Sequence, residues 1–241
     1  MSADNLGELN RKHMNDVGES AFKQQWIVDL GNQITAYILA HLEWLGTPPN
    51  KTEKPMKLLD YACGNGLISK ALLPHVSTIR GIDVSDKMVD LYNSPARTNN
   101  ADMSAIQADL LAPTDAMLDA LIKGEYSDFD IAVTSMALHH FADPQLMLTK
   151  LVERLAIGGR ILVIDWANEA VADWPAEGVL KEAGLGDVRH TLNDSVFTEK
   201  SVVELLKGAG CREAEFVLCP ETSKLPGVFG EKRLFFGLGT K

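Results

Sequence analysis

Between Ala21 and Leu45, the residues Ile27, Leu30, Ile34, Ile38, Leu42 and Leu45 recur at intervals of three or four, the stripe of an amphipathic helix over 21–44. The run Gly46-Thr47-Pro48-Pro49-Asn50 stops it. Residues 1 to about 20 carry no such stripe and read as a polar, mobile arm. Past position 50 the pattern changes: apolar runs near 57–60, 78–83, 103–107, 129–134 and 158–165 alternate with helical stretches. That alternation predicts a doubly wound α/β fold, a parallel sheet with helices on both faces and right-handed crossovers. Positions 166–197 are irregular, holding Pro175 and several glycines, and read as an insertion facing a substrate. A helix over 198–207 follows, then two alternating strands at 213–219 and 232–238 joined by a Pro- and Gly-rich loop. The chain thus divides into an arm and covering helix over 1–50 and a core domain over 51–241.

Ligands of such sheets bind at the carboxyl ends of the strands, so the residues standing there are the ones to read. The first strand runs into Asp60-Tyr61-Ala62-Cys63-Gly64-Asn65-Gly66, where the two glycines let the chain turn sharply and offer backbone N–H groups to a ligand. The helix that follows presents unpaired amides at its first turn. Asp83 closes the second strand seventeen residues after Gly66, about where a carboxylate accepts from two ribose hydroxyls, with Val84 beside it. Asp109 and Leu110 end the third strand, suited to an adenine amino group and ring face. Ser135 ends the fourth and leads through Met136 to His139-His140. A dinucleotide site would carry a third glycine where Ser69 stands, which disfavours a nicotinamide cofactor.

Taken in order, these motifs resemble the class I S-adenosylmethionine-dependent methyltransferases, specifically the small-molecule type related to ubiquinone and menaquinone biosynthesis. The likeness runs from about Leu58 to Asp165 and more loosely onward. It implies seven strands with the last antiparallel, S-adenosyl-L-methionine as cofactor, and N-terminal helices that lid the site. It also implies a methionine-binding loop at Asp60, Ala62, Gly64, Asn65 and Gly66, a ribose acid at Asp83 and an adenine-side acid at Asp109. Phe22 and Trp26 would then line the substrate cavity. Tyr61 and Cys63 within the glycine loop, and Trp166 after the fifth strand, depart from the commoner pattern.

Composition narrows the partners. A chain of 241 residues, 46% hydrophobic, carries one sizeable α/β core. A net charge of −10 and a pI near 5.1 disfavour nucleic acid and anionic membranes, which demand clustered Lys and Arg. Cys63, Cys211 and Cys219 show no metal-ligand spacing and no disulfide framework, and no signal or membrane-spanning segment is visible, so a cytoplasmic monomer or homodimer without bound metal is expected.

Methyl transfer from a sulfonium needs alignment and exclusion of water. Where the acceptor must also lose a proton, a histidine suits the task, and either His139 or His140 stands near the expected methyl position. Either also fits a packing role. Met88 and Met136 can pack on adenine or acceptor, and Trp166 and Trp174 can stack on an acceptor, or all four can fill core. Cys63 reads as a small residue filling the turn, with a reactive role left open. Two further readings stay open: a nucleotide-cofactor oxidoreductase, and a non-catalytic methyltransferase-like cofactor-binding protein. Macromolecular amide methylation would place Asn/Asp-Pro-Pro-aromatic after the fourth strand, where Ser135-Met136-Ala137-Leu138 stands, so a small-molecule acceptor is expected.

Overall fold

Strand β1 (Lys57–Tyr61) pairs in parallel with β2 (Thr78–Asp83) on one side and β4 (Phe129–Ser135) on the other, and this split at the sheet centre organises the molecule. The coordinates are a computed structural model, which describes residues 3–47, 55–96, 102–113, 125–168, 177–182, 185, 188–226 and 230–241. β3 (Met103–Gln107) continues outward from β2, and β5 (Leu155–Trp166) from β4, both parallel. β7 (Glu231–Thr240) pairs antiparallel with β5 and with β6 (Glu213–Lys224), giving the order β3-β2-β1-β4-β5-β7-β6. The expected seven strands are present, with the last one antiparallel and slotted between the fifth and sixth.

Alternating strand side chains fill two cores. Leu59 and Tyr61 of β1 face one, with Leu148 and Leu151 of α6 (Pro144–Glu153) and Val202 and Leu206 of α8 (Glu199–Gly208). Leu58 faces the other, with Ile34 and Ile38 of α2 (Gln25–Ala40), Leu72 of α4 (Leu67–Leu72) and Tyr92 of α5 (Asp86–Ala96). This is the period-2 pattern of a buried strand, covered on both faces as parallel strands require. Helix starts follow local chemistry: Asp143 caps α6 by accepting from the Leu146 N–H, and Thr198 with Ser201 forms a reciprocal capping box at α8.

The N-terminal region differs from the sequence expectation. Residues 3–21 are helix α1 (Ala3–Ala21), not an arm, and the helix expected over 21–44 is α2 followed by the short α3 (Leu42–Leu45). The chain breaks between α1 and α2, where Gln24 is extended. α1 escapes hydrophobic periodicity because the face it buries is small and polar. Gly7 lies so close to Asp109 that a Cβ there would sit 2.1 Å from a carboxylate oxygen. Asn10, 7% exposed, donates through Nδ2 to the carbonyls of His140 and Thr191 at 3.2 and 3.1 Å. Positions 169–176, which include Trp174 and Pro175 of the expected insertion, lie outside the described residues. Within 177–197 are α7 (Glu177–Glu182) and a 3-10 turn at Arg189–Thr191. No helix among the described residues is long and apolar enough to cross a membrane.

Candidate active site

The crossovers leave β1 and β4 in opposite directions, so the carboxyl ends of these two neighbours form the switch point of the sheet. Both ends are turned by a residue in the left-handed region, Ala62 (φ 57°) after β1 and Met136 (φ 54°) after β4. Such conformations are costly for side-chain-bearing residues and gather where function demands a particular backbone. Gly64 (φ 52°) and Gly66 (φ 78°) complete the turn after β1.

Asp83, 6% exposed, holds this turn from the neighbouring strand. One carboxylate oxygen accepts from the Gly64 N–H at 2.8 Å and the other from the Ser85 N–H at 2.9 Å. Burial pushes its carboxyl up to about 6, against the pull of those two amides. Asp60, 2% exposed, accepts from Ser69 Oγ at 2.6 Å, and Ser69 in turn accepts from Tyr92 Oη at 2.7 Å. Burial pushes Asp60 up to about 7, Ser69 pulling it down and Asp83 adding a smaller upward push. Asp109 is raised by burial, the Leu111 and Ala112 amides opposing.

These shifts predict a pH dependence. Both folded carboxyls sit above their unfolded values, so the folded state binds more protons over roughly pH 4 to 7, and stability from these groups is lost as pH rises through that window. Asp60→Asn is therefore expected to stabilise the ligand-free protein at pH 8 by on the order of 1–3 kcal/mol, with little gain at pH 4.5. Chemical denaturation of both proteins at the two pH values checks this; an equal difference at both would contradict it.

Two cavities open on this rim. One, of about 190 Å³, is lined by Asp83, Val84, Asp109 and Leu111 and roofed by Gly7, Asn10 and Met14 of α1. The other, of about 300 Å³, is lined by Asp60, Asn65, Trp26, Trp166 and His139, with a largely apolar surround from α1 and α2. They share a wall of Met14, Phe22, Ala62, Gly64, Ser135, Met136 and His140. Of the residues singled out from sequence, Gly66, Met88 and Leu110 line neither. Gly66 caps α4, Met88 is fully buried in α5, and the buried Leu110 donates its N–H to Tyr61 Oη at 3.4 Å, leaving Leu111 to face the cavity.

The histidine pair sits on a 3-10 turn (Leu138–His140) that Asn193 fastens, donating to the carbonyls of Leu138 and Phe141. His140 Nδ1 lies 3.0 Å from the Thr191 carbonyl. Burial, then the adjoining His139 ring, hold it well below the ordinary histidine range. His139 Nδ1 lies 2.7 and 2.8 Å from the two oxygens of Asp165 at the end of β5. Sequence reasoning passed over Asp165 as a site residue, although it follows the same rule as Asp60 and Asp83, a carboxylate at a strand end on one rim. Gly7, Asn10 and Met14 were also missed, and their α1 signal was too weak to find.

A family model described as a methyltransferase domain matches residues 33–214. An uncharacterized methyltransferase of Schizosaccharomyces pombe is 37% identical over 163 residues, 67% of this chain and 55% of that protein. A ubiquinone biosynthesis O-methyltransferase of Rhizobium rhizogenes is 30% identical over 156 residues, 61% of this chain and 58% of its own. The chain spans about half the length of the curated relatives it matches. Among solved structures, a Haloferax volcanii methyltransferase in complex with the Trm112 methyltransferase activator superposes with a TM-score of 0.66 at 16% identity, covering 96% of each chain. Magnesium protoporphyrin IX methyltransferase of Synechocystis, with bound S-adenosylhomocysteine, gives 0.61 at 17% identity, covering 96% of this chain and 99% of that one. At such identities these likenesses establish the fold. With the family model and the relatives beside the seven-stranded sheet, the chain belongs to the methyltransferase domain family, among the class I S-adenosylmethionine-dependent methyltransferases related to those of ubiquinone biosynthesis.

Proposed function

We propose that this protein transfers a methyl group from S-adenosylmethionine to a small-molecule acceptor, with the cofactor in the first cavity and the acceptor in the second. The observation that carries the reading is the shared wall, where Gly64, Ser135 and Met136 bring two chambers of different chemistry edge to edge at the switch point. The first chamber fits the cofactor. The buried Asp83 and the half-buried Asp109 stand along it as acceptors for ribose hydroxyls and an adenine amino group, and the turn at Ala62–Gly66 brings backbone close enough to hold the methionine portion. Asp60 lies at the end of β1 beside that turn and lines the second cavity, so the cofactor's ammonium would reach it across the shared wall, where the two chambers meet. When bound, S-adenosylmethionine supplies a methyl group on a sulfonium that is already a good leaving group.

The chain's own contribution is alignment and dryness. Phe22 packs over Gly64, and Met14 and Asn10 of α1 close the roof, which excludes water from the rim. Trp26, Met136 and Trp166 give the acceptor chamber apolar and aromatic faces. The acceptor is a small molecule on this reading because the chamber is a concave pocket beneath α1 and α2, and the net charge of −10 opposes nucleic acid. Thermal denaturation checks the cofactor: S-adenosylhomocysteine at one hundred times its dissociation constant is expected to stabilise the protein by about 2.7 kcal/mol. Stabilisation by NADH or NADPH instead would favour an oxidoreductase and overturn the proposal.

A further inference from the structure

Asn10 is buried in the roof of the first cavity, and its amide is oriented by what surrounds it. Three backbone carbonyls converge on Nδ2: Leu6 of its own helix at 2.9 Å, Thr191 at 3.1 Å and His140 at 3.2 Å. Carbonyls only accept, so the nitrogen is the atom that faces them and the amide cannot be turned over. Oδ1 is left on the other side of the group, and among the described residues no donor reaches it. Asn10 lines the first cavity and not the second, so this unused acceptor belongs to the chamber bounded by Asp83 and Asp109. A second unused acceptor stands nearby. Asp109 Oδ1 accepts from the Leu111 N–H at 2.9 Å, whereas no donor among the described residues reaches Oδ2. That oxygen is the one lying against Gly7, three residues before Asn10, and positions three apart on a helix are neighbours at about 5–6 Å. Asp83 differs, because each of its oxygens already holds a backbone amide.

We infer that Asn10 reads the base of the cofactor, its Oδ1 accepting one hydrogen of adenine's exocyclic amine while Asp109 Oδ2 accepts the other. The inference rests on the methyl-transfer reading above, which puts adenosine in the first cavity. An exocyclic amine carries two N–H donors that diverge in the plane of the base. Two open acceptors one helical turn apart complement that fork, whereas a single donor would leave one of them unpaired. A purine without the amine leaves both oxygens unpaired, and a 6-oxo purine sets a third acceptor between them, so the site rejects each. Asn10 thereby does two things at once. Its Nδ2 fastens α1 to the carbonyls of His140 and Thr191, and its Oδ1 is satisfied by the base, so the group that recognises adenine is also the one that holds the roof over it.

A ratio of affinities tests this. Titration calorimetry on the full chain compares S-adenosylhomocysteine with its 6-deamino counterpart, in which purine replaces adenine. The wild type is expected to prefer the adenine compound by on the order of 30-fold, and Asn10→Ala to cut that preference by about fivefold. Asn10→Asp keeps an acceptor at Oδ1 but loses the donors to the two carbonyls, so it should weaken both ligands and retain the preference. 5′-Methylthioadenosine, which lacks the amino acid, should lose as much affinity to Asn10→Ala as S-adenosylhomocysteine does, because the contact is to the base. Circular dichroism verifies that both variants fold, and the wild-type ratio decides without either. A wild type that binds the two compounds within twofold would overturn the inference. So would a preference that Asn10→Ala leaves intact, or one that Asn10→Asp loses as fully as Asn10→Ala, since Asn10 would then only fasten α1. A loss confined to S-adenosylhomocysteine and absent with methylthioadenosine would move the contact off the base and overturn it too. Binding of none of these compounds by the wild type would remove the methyl-transfer reading and the inference with it, whereas binding with a flat ratio removes the inference alone.

Discussion

Gly64→Val is expected to weaken S-adenosylhomocysteine binding by at least about a hundredfold, roughly 3 kcal/mol, in titration calorimetry. Three effects act together. Gly64 sits at φ 52°, a region a β-branched residue enters only at a cost of order 1–3 kcal/mol. A Cβ there would stand 2.9 Å from Cζ of Phe22, so the aromatic ring that closes the shared wall must move. Any shift of the loop to relieve these strains withdraws the Gly64 N–H from Asp83 and leaves a buried acceptor poorer by one donor. Stability should fall too, and a thermal scan of the variant separates the two losses. A folded variant that binds S-adenosylhomocysteine within threefold of wild type would show that this turn is not the cofactor's seat.

Asp83→Ala is expected to cost about 1–3 kcal/mol of cofactor affinity through the lost acceptor. Its effect on stability is a balance. The Gly64 and Ser85 amides lose their partner, which destabilises, but a carboxylate held up to about 6 by burial is also removed, which favours the fold above that pH. Asp83→Asn sharpens the test. Each oxygen of Asp83 faces a backbone donor, so an amide nitrogen in either place meets an N–H with another N–H, and the turn should be disturbed as much as by alanine. Calorimetry at pH 7.5 on both variants, with circular dichroism to verify folding, decides the matter. Unchanged affinity in either would take Asp83 out of the cofactor site.

The sheet was legible because its signal is local and redundant. Each parallel strand is a short apolar run buried on both faces, and the runs ending at Asp60, Asp83 and Ser135 stand where the periodicity places them. The direction of a parallel strand and the handedness of its crossover then send every carboxyl end to one edge, so Asp60, Asp83, Asp109 and Ser135 converge on one rim whatever occupies the helices between them. The weaker expectations fell where a residue's role depends on depth. Met88, in the first turn of α5, and Leu110, just past β3, lie near the right strand ends but under the surface, since one step along a helix or turn exchanges cavity for core.

What the sequence by itself determined is the parallel core, the turn of backbone after β1 and the carboxylates along its rim, because period, glycine and strand order act over a few residues and repeat. What only the tertiary structure decided is the roof and the histidine. α1 covers the rim through Gly7 and Asn10, which buries backbone-bonding and small groups that hydrophobic periodicity does not register. His139 and His140 are adjacent and chemically identical, and they part company because one ring meets a carboxylate 26 residues further along the chain and the other a carbonyl 51 residues on. A histidine's chemistry is set by the partner of each ring nitrogen, and that partner is fixed by packing across the sheet edge rather than by the neighbouring sequence.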